Sequence, residues 1–165
     1  FGRWGANYVY GTGATVPALV AGGLPTGHPS IRRAVAWLAA HQNTDGGWGE
    51  DLRSYDDPTQ RGRGPSTASQ TAWALLALLA ADASPRAGVT GAGREAIEPG
   101  PIERGIAFLV DTQRPDGSWD EPWFTGTGFP GDFYINYHLY RLVFPVSALG
   151  RYVRGVPEPQ GGRHG

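Results

Sequence analysis

Apolar residues recur at helical spacing in two separate segments of the chain. These positions, three or four residues apart, are Ile31, Ala34, Val35 and Leu38 in the first segment and Ile102, Ile106 and Leu109 in the second. Such spacing places the apolar side chains on one face of a helix. Pro29 stands before the first segment and Pro101 before the second, and proline is common in the first helical turn. The pattern therefore predicts two amphipathic helices.

The two predicted helices belong to an internal repeat. Each is followed by a glutamine, an Asp-Gly pair and a tryptophan, which are Gln42, Asp45-Gly46 and Trp48 in the first copy and Gln113, Asp116-Gly117 and Trp119 in the second. The offset is 71 residues throughout, from positions 31 and 102 to positions 48 and 119. A constant offset indicates a repeated structural unit, in which the Asp-Gly turn ends each helix.

The chain between the two copies predicts a helix of another type. Residues 70–81 are apolar nearly all round, which is typical of a helix buried on most sides. Glycine, proline and charged residues favour loops over 50–65 and 82–98 and a disordered tail over 156–165. Outer helices that alternate with buried inner helices make an all-α fold, a double-layered α/α barrel of toroidal shape.

A row of aromatic residues follows the second copy of the repeat. Its members are Phe129, Phe133, Tyr137 and Tyr140, spaced four, four and three apart. This spacing predicts one face of a helix that begins after Gly131, with Asp132 as its cap and Pro145 as a later kink or break. Ring faces stabilise a carbocation by about 0.5–2 kcal/mol each without trapping it. The same pattern is also typical of ordinary core packing.

The composition suits one domain taken from a longer chain. At 165 residues the sequence can bury one sizeable core. It begins at Phe1 and contains no Met, so we treat the N-terminus as a cut edge. Arginine supplies all 14 basic side chains, against 15 acidic ones, and the arginines are scattered along the chain. This charge pattern gives no support to nucleic-acid binding.

Metal chemistry and membrane spanning also find no support in the sequence. There is no Cys, and the four His, at positions 28, 41, 138 and 164, show no ligand spacing. We therefore predict neither a metal nor a cofactor. No apolar run reaches the ~18–20 residues that span a bilayer, so we expect any membrane contact to be peripheral.

The repeat resembles the Gln–Trp repeat of triterpene cyclases, whose pattern is a basic residue, Gly or Ala, an aromatic residue and Leu, then Gln and Gly-x-Trp. The residues that fit are Arg33, Ala34, Trp37, Leu38, Gln42, Gly46 and Trp48, and Arg104, Gly105, Phe108, Leu109, Gln113, Gly117 and Trp119. The blocks over 2–12, 69–75, 126–140 and 144–152 are similar to bacterial squalene–hopene cyclases. The resemblance covers nearly the whole chain, except 82–98 and the tail.

This resemblance implies a fold and a reaction. Residues 1–155 would be the C-terminal portion of a squalene cyclase α/α barrel. The reaction would be a class II cyclisation, in which an acid protonates a terminal alkene of squalene. The polyene then closes into fused rings through successive tertiary cations, and proton loss or water capture yields hopene or hopanol. The implied attachment is peripheral, on the cytoplasmic side of the cell membrane, and a homodimer is compatible with it.

The resemblance also implies roles for particular residues. The residues placed on the cavity wall are Trp4, Phe129, Phe133, Tyr137 and Tyr140. Tyr10 matches a position near the protonating acid, where a phenol would help to hold or reprotonate that acid. The residues expected to tie helices together, as scaffold rather than catalyst, are Gln42, Trp48, Gln113 and Trp119.

The general acid of the family is missing from this sequence. The family protonates with the central Asp of an Asp-x-Asp-Asp motif, whereas Asp56-Asp57 lacks the first Asp and precedes a proline. We therefore predict no catalytic residue in this segment. The acid is expected upstream of Phe1, and the segment alone is expected to be inactive.

Two alternatives remain open at this point. One is a related cyclase that acts on another linear polyprenyl, such as a tetraprenyl chain. The other is a non-catalytic α/α toroid that serves as a scaffold or binding module. Protein prenyltransferase subunits share the barrel but bind zinc through Asp, Cys and His, and this chain has no Cys.

Overall fold

The chain is mostly helical in its computed structural model, which describes residues 2–82 and 100–155. The α-helices of this part are α1 (Tyr8–Ala21), α2 (Pro29–Ala40), α3 (Ala68–Ala81), α4 (Pro101–Asp111) and α5 (Tyr140–Arg154). The strands are β1 (Gly126–Phe129) and β2 (Phe133–Ile135), and two short 3₁₀ helices cover Leu52–Tyr55 and Pro58–Gln60. The predicted tail over 156–165 and nearly all of the predicted loop over 82–98 lie outside the described residues.

The three helices predicted from periodicity are confirmed as α2, α3 and α4. Pro29 and Pro101 occupy the first position of α2 and α4, where the missing N–H costs nothing. Helix α3 begins two residues earlier than predicted, at Ala68 rather than at position 70. Thr67 caps it, since its hydroxyl accepts a hydrogen bond from the backbone N–H of Gln70.

Helix α1 is a helix that the sequence patterns do not predict. It contains two glycines and Pro17, residues that weaken a helical prediction. Its buried residues are Val9, Gly13 and Val16, and Gly13 is required there. A Cβ on Gly13 would lie 2.7 Å from the carbonyl oxygen of Trp73, so glycine allows α1 and α3 to approach closely.

The helix predicted for the aromatic row is wrong over its first part. Residues 126–135 form an antiparallel hairpin in which Thr127 pairs with Tyr134 and Phe129 with Phe133. Gly131 takes a left-handed conformation with φ of 79° in the turn, and this favours glycine. Helix α5 begins only at Tyr140 and continues through Pro145 to Arg154.

Asp132 is consequently not a helix cap. It lies in the hairpin turn, where its backbone N–H donates to the carbonyl oxygen of Phe129 at 3.0 Å. The hairpin also qualifies the all-α prediction, which holds for the helices but omitted these two short strands.

Helix α3 lies at the centre of the described structure and packs against all four other α-helices. Side chains from every helix meet in this core and are wholly buried in it, among them Val9, Leu38, Leu75, Leu109 and Ala148. Because α3 is covered on nearly all sides, the burial predicted for it from its apolar composition is confirmed.

The first turn of α3 is polar and yet buried. Its side chains Ser69, Gln70 and Thr71 are at most 1% exposed. The Gln70 side chain accepts from the backbone N–H of Glu50 at 3.1 Å and donates to the carbonyl oxygen of Ala6 at 3.2 Å. These bonds remove the desolvation cost that an unpaired buried amide would carry.

Two buried glutamates bind the first turns of α1 and α3, and they are related by the offset of the repeat. Glu121 accepts from the backbone N–H and the hydroxyl of Ser69, both at 2.8 Å, at the start of α3. Glu50, 71 positions earlier, accepts from the backbone N–H of Asn7 at 3.2 Å and of Val9 at 2.7 Å at the start of α1. Each carboxylate therefore binds unpaired donors where the helix dipole favours negative charge.

The Glu121→Gln substitution tests the cap on α3. The carboxylate accepts from Ser69 and from the Thr125 hydroxyl, and an amide would turn an N–H₂ group toward some of these buried donors. We expect a loss of about 1–3 kcal/mol in the free energy of unfolding, seen as a lower midpoint of thermal unfolding.

The matched control is Asp120→Asn, the same change of charge on the adjacent, exposed side chain that pairs with Arg114. We expect no measurable change in the unfolding midpoint for this variant, because exposed ion pairs contribute little. Equal midpoints for the two variants would contradict the assigned cap.

Candidate functional site

The ring-bearing segments of the chain meet in a small three-stranded arrangement. The segment around Trp4 runs antiparallel to β1, with Gly5 opposite Gly126. The N–H of Thr127 donates to the carbonyl oxygen of Trp4 at 3.2 Å, and the N–H of Ala6 donates to the carbonyl oxygen of Thr125 at 2.9 Å. These bonds bring Trp4 beside the hairpin, although more than a hundred residues separate them in sequence.

Phe129 and Phe133 face each other across the hairpin. Their ring centroids are 6.1 Å apart at an interplanar angle of 66°, which is a favourable edge-to-face arrangement. The guanidinium of Arg3 lies 5.4 Å from the ring centroid of Phe129 and 6.0 Å from that of Trp4. One cation thus links the Trp4 ring to the hairpin rings through cation–π contacts.

A second group of rings surrounds Trp73 of α3. Its indole meets Tyr10 of α1 at 4.9 Å and Tyr140 of α5 at 5.7 Å between centroids, both edge-to-face. Tyr137 packs against Tyr140 at 4.8 Å, and Phe144 meets Trp73 at 5.5 Å. The buried indole N–H of Trp73 has no acceptor within residues 2–82 and 100–155.

The two groups of rings adjoin one another. The hydroxyl of Tyr140 lies 3.4 Å from the carbonyl oxygen of Trp4 and donates to it. The Tyr137 ring lies so close to Gly126 that a Cβ there would be 2.5 Å from its Cδ2. Burial raises the pKa of the Tyr140 phenol, so the phenol stays protonated and remains a donor near neutral pH.

The six ring residues singled out in the sequence are therefore brought together, with different exposures. Trp4 is 51% exposed, Phe129 50% and Phe133 46%, whereas Tyr10 and Tyr140 are half-buried. The backbone beneath the exposed rings is buried at Gly126, Thr127 and Gly128. The site is an open aromatic surface held on a well-packed backbone.

Several carboxylates outside this surface are occupied with structural bonds. Asp116 accepts from the hydroxyl and the backbone N–H of Ser118, and these bonds lower its pKa. Asp57 caps a 3₁₀ helix, where bonds from the Thr59 hydroxyl and N–H lower its pKa as well. A lowered pKa keeps a carboxyl group ionised, which is the opposite of what a proton donor requires.

Metal ligands and membrane spans are absent from the described ranges. Within residues 2–82 and 100–155, no three His, Asp or Glu side chains come close enough to hold a metal ion. In the same ranges, no helix has the length and apolar character needed to cross a membrane.

The glutamines and tryptophans of the repeat make matching contacts in both copies. Trp48 donates its indole N–H to the carbonyl oxygen of Leu38 in the last turn of α2, and Trp119 does the same to Leu109 in α4, both at 2.8 Å. Each glutamine donates to the carbonyl oxygen four residues on, at 2.7 Å for Gln42 and 3.0 Å for Gln113.

The first copy of the repeat also contacts the helix of the second. Gln42 donates to the carbonyl oxygen of Pro101 at 2.9 Å and accepts from the guanidinium of Arg104. The ring of Trp48 packs on Gly105, where a Cβ would lie 2.7 Å from its Cζ3. In both copies the tryptophan thus binds a carbonyl oxygen in the last turn of the preceding helix, and in the first copy the glutamine binds the first residue of α4. The scaffold role of these residues stays a prediction.

Sequence reasoning missed several residues that support the site. Glu50 and Glu121 follow the repeat's tryptophans by two residues at the same offset of 71, and that match was a usable signal. Trp73 was expected only as part of a buried helix. Its contacts with Tyr10 and Tyr140 depend on how three helices pack, and no local pattern reports this.

A model of the squalene–hopene cyclase C-terminal domain matches residues 1–154 of this chain. The chain belongs to the squalene–hopene cyclase family. The squalene–hopene cyclase of Alicyclobacillus acidocaldarius is 57% identical over 156 residues, which cover 94% of this chain and 23% of that protein.

Two further relatives are also similar in sequence to this chain. The squalene–hopene cyclase of Bradyrhizobium diazoefficiens is 48% identical, over 92% of this chain and 21% of its own length. The dammaradiene synthase of Dryopteris crassirhizoma is 46% identical, over 92% of this chain and 22% of its own length. The chain thus spans between 21% and 23% of the length of these relatives.

A Gly128→Ala substitution tests the packing of the hairpin rings. The new Cβ would lie 1.9 Å from Cζ of Phe133, so the ring must move. Because Phe133 is partly exposed, we expect its ring to shift by about one ångström or more with only a small loss of stability. A crystal structure of the variant checks the ring position.

The control is Gly150→Ala in α5, where a Cβ would meet nothing within 4 Å. We expect unchanged rings and equal or slightly higher stability, since alanine favours the helix. A Phe133 ring that stays in place in Gly128→Ala would contradict the described packing.

Proposed function

We propose that this chain is part of a triterpene cyclase that converts squalene to hopene or hopanol by proton-initiated cationic cyclisation. In this proposal, the segment supplies part of the aromatic wall of the cyclisation cavity. The observation that carries the proposal is the meeting of six rings from four separate segments at one surface, in a chain that belongs to the squalene–hopene cyclase family.

The chemistry of such a surface fits carbocations better than it fits polar substrates. Trp4, Phe129 and Phe133 offer ring faces that stabilise positive charge by about 0.5–2 kcal/mol each. They carry no lone pair basic enough to trap a cation or remove its proton. Stabilisation that arises only as charge develops lowers the barrier without binding the neutral polyene more tightly.

Tyr10 would be the phenol near the protonating acid, where it would help to hold or reprotonate that acid. Its ring is half-buried, lies against Trp73 and closely approaches Gly5 of the segment that carries Trp4. The acid itself would come from residues outside this sequence, since no Asp-x-Asp-Asp occurs in it.

The wider architecture is part of the same proposal. We infer that α3 is an inner helix and α2 and α4 are outer helices of a double-layered α/α toroid. Gln42 and Trp48 would join neighbouring outer helices, as their bonds to Pro101 and packing on Gly105 support. Gln113 and Trp119 would do the same for the following unit.

Squalene is a hydrocarbon that partitions into bilayers, and this supports a further part of the proposal. The complete enzyme would attach peripherally to the cytoplasmic side of the cell membrane to collect its substrate. A homodimer is compatible with this attachment. A related linear polyprenyl remains the alternative substrate, because the ring surface recognises cations rather than chain length.

Phe133→Ala in the complete protein tests the cavity wall. Removing the phenyl group takes away its stabilisation of the cation, which is about 0.5–2 kcal/mol. The barrier to the cyclisation step beside it rises by that amount, so incompletely cyclised products should increase by roughly 2- to 30-fold. Gas chromatography of the products formed from squalene measures this change.

The matched control is Phe124→Ala, which removes another phenylalanine ring that is 54% exposed but outside the ring surface. We expect its product ratio to equal that of the unmodified enzyme. If Phe133→Ala also leaves the ratio unchanged, the rings are only packing and the proposal fails.

The segment without its acid provides a second test. Residues 1–165 expressed alone should produce no cyclised product from squalene, whereas the complete protein should produce hopene or hopanol. Measurable cyclisation by the isolated segment would mean that a carboxyl group within it serves as the acid, contrary to the proposal.

A further inference from the structure

Tyr55 joins the two backbone segments that carry the exposed rings, although it is not one of those rings. It is the last residue of the 3₁₀ helix Leu52–Tyr55. Its single O–H proton is shared between two carbonyl oxygens, that of Gly2 at 2.9 Å and that of Gly5 at 3.2 Å. These two carbonyls flank Trp4, so one phenol fixes the backbone on both sides of that residue.

The ring of Tyr55 contacts the hairpin at the same time. It stacks on Tyr134 of β2, with centroids 6.1 Å apart and an interplanar angle of 26°. Successive side chains of a strand point to opposite faces, so Tyr134 projects away from Phe133. Tyr55 therefore holds the hairpin from the side opposite to its exposed ring.

The segment that Tyr55 holds has little room to adjust. A Cβ on Gly2 would lie 2.3 Å from the carbonyl oxygen of Gly5, and a Cβ on Gly5 would lie 2.5 Å from Cδ2 of Tyr10. A small shift of this segment would therefore displace both Trp4 and Tyr10. Burial raises the pKa of the Tyr55 phenol, so the hydroxyl stays protonated and donates throughout the ordinary pH range.

We propose that Tyr55 is a positioning residue for the cyclisation, which sets the distance between the Trp4 ring and the hairpin rings without touching the substrate. The inference rests on the proposed function. It adds that the geometry of the ring surface is maintained by a phenol behind it, through two backbone carbonyls and one stacked ring.

The test is Tyr55→Phe in the complete protein, with Tyr134→Phe as the matched control. The first variant removes the hydroxyl that binds Gly2 and Gly5 and keeps the stack. The second removes a hydroxyl from the hairpin and also keeps the stack. We expect incompletely cyclised products to rise roughly fivefold in Tyr55→Phe, the factor that one ordinary hydrogen bond represents. Tyr134→Phe should match the unmodified enzyme.

The readout separates positioning from plain stability. Lower turnover or a lower unfolding midpoint in Tyr55→Phe, with an unchanged product ratio, would overturn the inference, because a merely structural residue changes the amount of active enzyme and not its products. If Tyr55→Phe does not accumulate as folded protein, the product ratio of Tyr134→Leu tests the inference instead. This variant removes the stacked ring but keeps the Tyr55 hydroxyl. It must raise the fraction of incompletely cyclised products for the inference to stand.

Failure of this inference is distinguishable from failure of the proposed function. A changed product ratio in Phe133→Ala together with an unchanged ratio in Tyr55→Phe refutes only the positioning role. An unchanged ratio in Phe133→Ala refutes the cavity wall itself.

Discussion

The structure depends on satisfying the polar first turn of a buried helix. Helix α3 is covered on nearly all sides, yet it begins with Ser69, Gln70 and Thr71, whose donors and acceptors no water can reach. Leaving even one such group unpaired costs about 1–3 kcal/mol. Apart from Thr67, which caps the helix, the partners of these side chains come from distant parts of the chain, including Glu50 and Glu121. The helix can therefore be buried only when both copies of the repeat are folded around it.

The same bonds connect the core to the ring surface. Gln70 donates to the carbonyl oxygen of Ala6, and the N–H of Ala6 donates to the carbonyl oxygen of Thr125 at the entrance to the hairpin. Glu121 also accepts from the Thr125 hydroxyl. The backbone beneath the rings is thus continuous with the buried hydrogen bonds at the start of α3. Exposed rings on such a backbone keep their positions without being packed on every side, and the contact with a hydrocarbon substrate that we propose needs this combination.

The parts of the fold that the sequence predicts correctly are those with a strong local cause. Helices α2 and α4 combine a 3.6-residue apolar period with proline at the first position. The hairpin was missed because the aromatic residues are four, four and three positions apart, which is a helical spacing. This pattern was preferred to the strand and turn signals of Gly126, Gly128 and Gly131. Helix α1 was missed because its stability comes from close contact with α3 at Gly13. The ring residues were singled out through family resemblance, and their role in the site stays a prediction. The contacts of Trp73 and Tyr55 depend on tertiary packing, which no local pattern reports.

Placing the rings on a hairpin and a helix start, rather than on one helix, changes what the surface can do. On a single helix, residues 129, 133, 137 and 140 would form one row with fixed spacing. In the hairpin, Phe129 and Phe133 form one pair, while Tyr137 and Tyr140 join Trp73 in a separate group. The two groups meet at the carbonyl oxygen of Trp4, which accepts from Thr127 and from Tyr140. In the cyclisation that we propose, a cation that moves along the folding polyene would meet ring faces in two places in turn, on either side of the Trp4 backbone.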